Sequence, residues 1–153
     1  KKDVDVVKYI VEYLSLYGDT FSDNLTFSFS NSNEQLSKNL SVLNMSIILD
    51  NLISNAVKWD ADKIQIDFEK VNERQLLIYF SDNGNGLSDK FIKNSEKIFE
   101  LSVRDTPPSG NSGSGIGLYY TKNLLNEMNS DIEFIGNERK LSGATFKITI
   151  NTI

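Results

Sequence analysis

Apolar residues repeat at helical spacing in some segments of this chain and at strand spacing in others, and the order of these segments limits the possible folds. Residues 4–17 and 44–58 repeat apolar side chains every three to four positions, which is typical of amphipathic helices. Apolar and polar residues alternate at 25–29, 64–68 and 144–150, which is typical of half-buried strands. Hairpins mixed with helices favour an α+β two-layer sandwich over a doubly wound parallel sheet.

The remaining segments add a third helix and further strands to this prediction. LLIYF at 76–80 indicates a central strand, and residues 131–135 are expected to form a closing hairpin with 144–150. A third helix is predicted at about 116–129. Weaker patterns predict a short strand at 40–43, an irregular helix at 88–100 and a long loop at 104–115.

The composition excludes several functions. The 153 residues, 39% of them apolar, suffice for a single domain at 1–153 with its own core. The formal net charge of -5 gives no basic excess for binding nucleic acid, and no apolar run approaches the roughly 20 residues of a membrane span. Because the chain has no cysteine, it has no thiolate metal site. Because it has no histidine, acid/base catalysis, metal binding and phosphorylation by a histidine of this chain are excluded. It begins Lys-Lys-Asp without methionine, so we expect a fragment of a longer, cytoplasmic protein.

The segment NLISNAVKW, residues 51–59, carries polar side chains beside its apolar stripe. At about 100° per residue, Asn51, Asn55 and Lys58 fall on one face, next to the apolar one. Asparagine is unfavourable inside helices because its amide competes for backbone hydrogen bonds, so its repetition indicates a binding site. A solvated face in an asparagine-rich chain explains the stripe equally well. An amide oxygen with waters suits Mg²⁺, and a lysine suits a phosphate.

Two glycine-containing segments lie where ligands commonly bind. In SDNGNGL, Asp82 stands at a strand end before Gly84 and Gly86, where a carboxylate needs a donor such as the exocyclic amine of adenine. A plain turn is the alternative. In GNSGSGIGL, residues 110–118, glycines open a helix whose free N–H groups would suit a phosphate chain. A flexible loop is the alternative, because this segment has neither the Walker-A nor the dinucleotide-fold spacing.

Five motifs in order, NLISNAVKW, DNGNGL, KIFELSVRD, GSGIGL and GATF, resemble those of the GHKL superfamily of ATP-binding domains. The resemblance is strongest to the catalytic ATP-binding domain of sensor histidine kinases, and it extends from the first helix to the last strand. It implies a Bergerat-type fold, in which three main helices cover a mixed, mostly antiparallel sheet. It also implies ATP and Mg²⁺ as cofactors, transfer of the γ-phosphate to a histidine on another domain of the parent protein, and a response regulator as a further partner.

The resemblance assigns roles to individual residues. Asn55 would bind Mg²⁺ with Asn51 beside it, and Lys58 would reach the phosphates, so these three would be the catalytic residues. Asp82 would accept a hydrogen bond from the adenine amine. The other nucleotide-binding residues implied are Trp59 near the base, Gly84, Gly86 and Leu87 along its wall, Phe99 and Arg104 beside a lid at 105–112, Gly113, Ser114, Gly115, Ile116, Gly117 and Leu118 around the triphosphate, and Thr145 through water to the adenine.

The sequence departs from the family pattern in several places, among them Asn85, which stands where proline or alanine is common between the two glycines. The motif that often reads Ile-Phe-Glu-Pro-Phe is Ile-Phe-Glu-Leu-Ser at 98–102, so its second aromatic residue and its proline are absent. The ATP-hydrolysing branches have a glutamate four residues before the metal asparagine. Here that position is Asn51, and an amide cannot accept a proton. Asp50 is adjacent but lies more than a quarter turn from the polar stripe, so we expect slow intrinsic hydrolysis.

Three functions are compatible with these residues. The first is a kinase catalytic domain that passes a phosphate to a histidine. The second is an ATP-dependent conformational switch or ATPase module without histidine kinase activity. The third is a degenerate module that binds no nucleotide and serves partner contacts. We expect the fragment to be monomeric, and its parent protein to dimerise through other segments.

Overall fold

Strands and helices are interspersed along residues 1–101 and 116–153, the part of the chain that this computed structural model describes. In chain order the elements are β1 (Lys2–Asp5), α1 (Val6–Tyr17), β2 (Thr26–Ser30), β3 (Ser37–Leu40), α2 (Val42–Lys58), β4 (Lys63–Asn72), β5 (Gln75–Asp82), α3 (Asp89–Lys93), α4 (Gly117–Glu127), β6 (Asp131–Asn137) and β7 (Ala144–Asn151). Short 3-10 helices follow α1 at Gly18–Thr20 and α3 at Ser95–Phe99.

The main sheet has five strands in the order β2-β4-β5-β7-β6. Strands β2 and β4 pair in parallel, and the other three pairs are antiparallel. Strands β1 and β3 form a separate antiparallel ribbon. The prediction of an α+β sandwich with a mixed, mostly antiparallel sheet is therefore confirmed, and β5 and β7 lie next to each other inside the sheet.

The core lies between one face of the sheet and the helices that cover it. The predicted apolar stripe of α2 is buried along its whole length, as are alternate residues of β4, β5 and β7. Each fully buried leucine or isoleucine contributes about 1.5–3 kcal/mol to the free energy of unfolding, so this stripe fixes how α2 lies on the sheet. Its polar side chains are consequently directed to one border of the core.

The helix predicted at 4–17 and the short strand predicted at 40–43 have different bounds in the structure. Residues 4 and 5 belong to β1 instead of the helix, because Val4 pairs with Lys38 across the ribbon and Val6 N–H donates to the Leu36 carbonyl at 2.9 Å. The strand predicted at 40–43 ends at Leu40. The next residue, Ser41, caps α2 by accepting a hydrogen bond from Asn44 N–H at 3.2 Å. A capping serine therefore starts the helix at a position where apolar spacing alone indicated a strand.

The other predicted elements are confirmed with small shifts. Residues 88–100 are irregular helix, and the short α3 within them raises the number of α-helices in the described residues to four. The third predicted helix, α4, ends at Glu127 because Asn129 adopts a left-handed φ of 58° and Ser130 N–H donates back to the Leu125 carbonyl at 2.8 Å. The loop predicted at 104–115 lies outside the described residues. No helix in 1–101 or 116–153 has both the length and the apolar character that crossing a bilayer requires.

Candidate functional site

The end of β5 places a buried carboxylate beside the start of β7. Asp82, the last residue of β5, is only 4% exposed. Its Oδ1 accepts hydrogen bonds from the backbone N–H groups of Gly84 at 2.9 Å and Ala144 at 3.3 Å. Burial raises the pKa of the Asp82 carboxyl to about 6, although the two backbone hydrogen bonds lower it in part. Near neutral pH this carboxylate is ionised, held in place by its neighbours, and able to accept a further donor.

Gly143 is a site residue that the sequence analysis missed. A Cβ at this position would lie 2.1 Å from Asp82 Oδ1, so a side chain would displace the carboxylate. The Gly143 N–H also donates to the Asp82 carbonyl oxygen at 2.8 Å. The GATF motif contained this glycine, but a close approach between two distant segments leaves no periodic signal in the sequence. The Asp82 carboxylate therefore depends on glycine in the β6–β7 connection.

Asn83 ties the residues after Asp82 to the start of β4. Its Oδ1 accepts from the N–H groups of Asp62 and Lys63, each at 2.9 Å, and its Nδ2 donates to Asp62 Oδ1 at 2.7 Å. The sequence analysis treated this asparagine as a turn residue. Its role was missed because the amide bonds to a segment about twenty residues earlier in the chain.

The predicted base-side residues lie on the segment after Asp82 or on segments bonded to it or to β5: Trp59, Gly84, Gly86, Leu87 and Thr145. Trp59 follows the last residue of α2 and is buried, and its carbonyl oxygen accepts from Asn85 N–H at 2.9 Å. The same oxygen would lie 2.3 Å from a Cβ on Gly84. Trp59 therefore meets the backbone of the segment after Asp82 through its carbonyl group, while Leu87 is buried further along that segment.

Thr145 lies next to the carboxylate in the sheet. Its Cα pairs with that of Ser81, the residue before Asp82, and the two hydroxyl oxygens are 3.1 Å apart in a buried pair. Either hydroxyl can donate, so the pair can reorient toward a water molecule or a ligand. The position fits the expectation that Thr145 binds adenine through water, and that role stays a prediction.

The polar stripe of α2 contacts the first turn of α4. Asn51 Nδ2 donates to the Gly117 carbonyl at 3.2 Å and to Thr121 Oγ1 at 3.3 Å. Thr121 Oγ1 in turn donates to the Gly117 carbonyl at 2.9 Å. Asn51 therefore bridges two helices at the point where α4 begins. Asp50 turns toward α1 instead, where Tyr13 Oη donates to its Oδ1 at 2.6 Å, in agreement with its predicted direction.

Asn55 and Lys58 continue this stripe toward Trp59, and both are half-buried. The described residues contain no cluster of three or more histidine, cysteine, aspartate or glutamate side chains that could hold a metal ion. A magnesium ion at this stripe would therefore depend on the Asn55 amide oxygen, on water and on oxygens of the ligand. That donor set fits Mg²⁺, which keeps several waters and binds few protein oxygens beside substrate phosphates.

Phe99 is part of the core at the end of the second 3-10 helix. Its ring meets Phe146 edge to face, with centroids 6.2 Å apart, and Lys122 Nζ lies 4.9 Å from its centroid. Lys122 also forms ion pairs with Glu96 at 3.5 Å and Asp131 at 3.0 Å. Phe99 is thus fixed between β7 and α4 by packing and by a cation.

The remaining predicted residues lie within or directly after the segment that the structure leaves undescribed. Gly117 is the first residue of α4, Leu118 is buried, and Ile116 is exposed. The predictions for Arg104, the lid at 105–112, Gly113, Ser114 and Gly115 lie outside the described residues.

Among the described residues, the structure brings the predicted site residues together in two groups. Asp82 and its neighbours form the base-side group, and Asn51, Asn55, Lys58 and Gly117 form the stripe group. Trp59, which follows α2, connects them.

Comparison with known proteins identifies the family. A family model described as histidine kinase-, DNA gyrase B- and HSP90-like ATPase matches residues 42–152. This range runs from the first residue of α2 to the residue after β7, and it contains both groups of site residues. The motif resemblance and the family match therefore rest on the same part of the chain.

Curated relatives include several histidine kinases. Histidine kinase P4 of Formosa agariphila is 27% identical over 150 residues, which are 95% of this chain and 11% of the relative. Sensor histidine kinase GlnK of Bacillus subtilis is 26% identical over 149 residues, or 95% of this chain and 34% of the relative. Autoinducer 2 sensor kinase/phosphatase LuxQ of Vibrio parahaemolyticus is 32% identical over 110 residues, or 67% of this chain and 12% of the relative. The chain spans only about a tenth to a third of the length of these relatives.

Solved structures agree with the fold. The mycobacterial sensor histidine kinase MprB superposes with a TM-score of 0.76 at 16% identity, covering 98% of this chain and 96% of that chain. The catalytic domain of histidine kinase ThkA superposes with a TM-score of 0.74 at 21% identity, covering 99% of this chain and 96% of that chain. At these identities the likeness establishes the fold alone, and it is the fold that the motif resemblance implied. The chain belongs to the family of histidine kinase-, DNA gyrase B- and HSP90-like ATPases.

Proposed function

We propose that this chain is the ATP-binding catalytic domain of a protein-histidine kinase. It binds ATP with Mg²⁺ and supplies the γ-phosphate to a histidine side chain outside this chain. The bond between the γ-phosphorus and the β–γ bridging oxygen breaks, a bond from a histidine nitrogen to that phosphorus forms, and ADP leaves. The observation that carries this proposal is Asp82, a buried carboxylate held by two backbone N–H groups at the end of a central strand.

Asp82 is suited to select adenine. Its Oδ1 is fixed by hydrogen bonds from two sides. The exocyclic amine of adenine is a neutral donor from which a buried carboxylate can accept a hydrogen bond. Gly84 and Gly86 let the segment after the carboxylate run close to its neighbours, because a Cβ would lie 2.3 Å from the Trp59 carbonyl oxygen at Gly84 and 2.7 Å from Asn137 Cγ at Gly86. The guanine base presents a carbonyl oxygen at the position of the adenine amine, and this oxygen would face the carboxylate with repulsion. Discrimination between the two bases follows from this single contact.

The stripe group is suited to the phosphates. In this proposal the Asn55 amide oxygen is the protein ligand to Mg²⁺, and the Lys58 ammonium contacts phosphate oxygens. When bound, Mg²⁺ neutralises charge that develops on the transferring phosphoryl group. Asn51 holds the first turn of α4 against α2, and the backbone at that helix start lies beside the stripe.

Transfer is favoured over hydrolysis because no carboxylate of α2 is placed to activate water. At the position of the hydrolytic glutamate stands Asn51, whose amide nitrogen donates to Gly117 and Thr121. The neighbouring Asp50 faces α1 and accepts from Tyr13. The sequence contains no histidine, so the phosphoacceptor belongs to another segment or another chain. Slow intrinsic hydrolysis of ATP is the expected consequence.

The binding step is tested by calorimetric titration with a non-hydrolysable ATP analogue, with and without Mg²⁺. We expect Asp82→Asn to raise the Kd roughly 10- to 100-fold, because the amide offers a donor where a charged acceptor is needed. We expect Asn55→Ala to remove most of the gain in affinity that Mg²⁺ gives to the wild type. If the folded wild type binds no nucleotide, the proposal is wrong and the domain serves partner contacts.

The transfer step is tested by adding a histidine-containing segment of the parent protein and γ-labelled ATP. Acid-labile, base-stable label on that segment would be phosphohistidine and would support the kinase. Binding and closure without labelled acceptor would support an ATP-dependent switch instead. Binding and transfer are thus separated by two different readouts.

The relatives named sensor histidine kinases suggest the wider setting. We propose that residues 1–153 form one domain, that it works in the cytoplasm, and that a response regulator receives the phosphate from the parent protein. The fragment itself is expected to be monomeric, with the parent dimerising through other segments. Light scattering after size exclusion, on the fragment and on a longer form, checks the two oligomeric states.

A further inference from the structure

Residues 82–87, the Asp82 loop, run from the buried carboxylate at the end of β5 to Leu87. On one side the loop is bonded to the end of α2 and the start of β4 by Asn83 and by Asn85, whose Nδ2 donates to Asp60 Oδ2 at 2.8 Å. On the other side, Gly143 and Ala144 donate to the first residue of the loop. These contacts fix the beginning and the middle of the loop.

The far end of the Asp82 loop is held by a residue to which the motifs assign no role. Asn137, the last residue of β6, accepts from Leu87 N–H through Oδ1 at 3.1 Å and donates through Nδ2 to the Leu87 carbonyl at 2.8 Å. One side-chain amide thereby satisfies both backbone groups of a loop residue, as a neighbouring strand would do. The two residues are fifty positions apart in the chain.

The backbone of β6 is shaped so that Asn137 reaches the loop. The pairing of β6 with β7 shifts at a bulge between Phe134 and Gly136, where Gly136 has a φ of +126°. After the bulge, Asn137 pairs with Ala144, whose N–H donates to Asp82 Oδ1. Bulges commonly redirect a side chain next to a functional site. Here the redirected amide meets the same loop that begins with the carboxylate.

Gly86 provides the space that this contact needs. Its φ is +75°, and a Cβ on it would lie 2.7 Å from Asn137 Cγ. A residue with a side chain would therefore be strained at position 86 and would also displace the Asn137 amide. The second glycine of the motif is thus matched to the asparagine that packs on it.

We infer that Asn137 is a positioning residue for base selection: it fixes the far end of the Asp82 loop, and so the wall against which an adenine lies. This inference rests on the proposed nucleotide binding. A loop with few fixed contacts opens easily, and each binding event must then order it. With Leu87 held at both backbone groups, the wall stays in its bound geometry before the nucleotide arrives. Asn137 acts through Leu87 and Gly86 and does not touch the base.

The test compares two nucleotides that differ only in the group read by Asp82. The Kd of ATP and of purine riboside triphosphate, which lacks the 6-amino group, is measured for the wild type, Asn137→Ala and Asn137→Asp. We expect Asn137→Ala to raise the Kd of ATP about tenfold and to lower the preference for ATP over the analogue at least threefold. The gain in affinity from Mg²⁺ is expected to stay as in the wild type, because the stripe group is untouched.

Asn31→Ala is the matched control. Asn31 also bonds a distant backbone group through its amide, donating to the Phe68 carbonyl at 3.1 Å, but it follows β2 at the opposite edge of the sheet. Its loss lowers stability without touching the Asp82 loop, so both Kd values should stay within about twofold of wild type. Asn137→Asp retains the shape and the acceptor of the amide while removing the donor to the Leu87 carbonyl. It should weaken the ATP preference in the same direction even if Asn137→Ala folds poorly.

Amide hydrogen exchange gives a reading that needs no nucleotide. In the free protein, the Leu87 N–H should exchange faster in Asn137→Ala, which lacks the acceptor of this N–H, than in wild type and Asn31→Ala. A wild type that binds no nucleotide would remove the proposed function and with it this inference. A wild type that prefers ATP, together with folded Asn137 variants that keep the same preference, would overturn the inference while leaving the proposed function intact.

Discussion

The base-side group and the stripe group hold their side chains by different means. Around Asp82, most bonds involve the backbone: N–H groups of Gly84, Gly143 and Ala144 donate to this one residue from two directions. Along the stripe, the Asn51 amide bridges α2 and α4 and is shared between a carbonyl and a hydroxyl. The first arrangement is fixed by the sheet itself, whereas the second depends on how two helices pack.

This difference fits the roles that we propose for the two groups. A contact that selects one base must keep its geometry, and backbone groups at adjacent strand ends provide it with little loss of conformational entropy on binding. A group that binds phosphates through an ion and a lysine tolerates more movement, because charge interactions depend less on direction than hydrogen bonds do. Substitutions in the two groups should therefore affect different properties, and the sizes of their effects should differ.

The largest effect is expected from Gly143→Ala. The new Cβ would lie 2.1 Å from Asp82 Oδ1 and 2.7 Å from the Asp82 carbonyl oxygen, so both the carboxylate and the loop backbone must move. Overpacking of this kind lowers the free energy of unfolding by about 1–3 kcal/mol. Because the displaced group is the one that we propose reads the base, the Kd for ATP should rise about 100-fold or more. Urea unfolding and calorimetry measure the two effects.

Ser142→Ala is the control for this prediction. Ser142 precedes Gly143, and its exposed hydroxyl donates to the Asn83 carbonyl at 3.1 Å. Removing it should change the free energy of unfolding by less than about 0.5 kcal/mol. If Gly143→Ala bound ATP as tightly as Ser142→Ala does, the backbone around Asp82 would be far more adaptable than the comparison between the two groups requires.

A second effect is expected from pH, and it separates the folding role of Asp82 from its binding role. Burial raises the pKa of this carboxyl from 3.8 to about 6, so between these values the folded state binds more protons than the unfolded chain. The contribution of Asp82 to the free energy of unfolding is therefore greatest at low pH. It falls as pH rises through this window, by up to about 3 kcal/mol, and stays low above it.

Ligand affinity should change in the opposite direction, because the proposed hydrogen bond from the adenine amine needs the ionised carboxylate. The Kd of adenosine, which has no titrating phosphate, should be about tenfold higher at pH 5 than at pH 7. In Asp82→Asn, both the fall in stability and the rise in affinity should disappear from this window. Unfolding and titration at several pH values, on wild type and Asp82→Asn, decide the matter. Equal pH dependence in the two proteins would show that other groups cause it.

The sequence predicted the parts of the site that a local pattern encodes. Helical spacing placed Asn51, Asn55 and Lys58 on one face, and the Asp-Asn-Gly motif placed Asp82 at a strand end. Strand alternation predicted the inward face of β7. These signals are local because an element's own period decides which of its side chains are buried.

The sequence could not predict contacts between distant segments. Gly143 is needed because of a carboxylate sixty-one positions earlier, and Asn137 because of a loop fifty positions earlier. In both cases the reason is a distance across the sheet, which depends on the register of β5, β6 and β7. The strand at residues 2–5 was missed for a related reason: its partner, β3, is short and carries a weak pattern. Contacts of this kind become visible only when the elements are assembled.

The smallest effect is expected from Asn51→Ala in the stripe group. This change removes the donor to the Gly117 carbonyl and Thr121 Oγ1, but Thr121 still donates to the same carbonyl at 2.9 Å. We expect the free energy of unfolding to fall by about 1 kcal/mol. The start of α4 should loosen, so the Kd of ATP should rise about threefold to tenfold, while the Kd of adenosine stays within about twofold. Calorimetric titration of wild type and Asn51→Ala with ATP and with adenosine measures both Kd values.

Tyr13→Phe is the matched variant for Asn51→Ala, because it removes one hydrogen bond at the adjacent position of α2 on the side facing α1. It should cost similar stability and leave both Kd values unchanged. A loss of adenosine affinity in Asn51→Ala equal to its loss of ATP affinity would mean that the two groups are mechanically one unit. A loss confined to ATP would locate the phosphates at the contact between α2 and α4, and would leave base selection to the strand ends around Asp82.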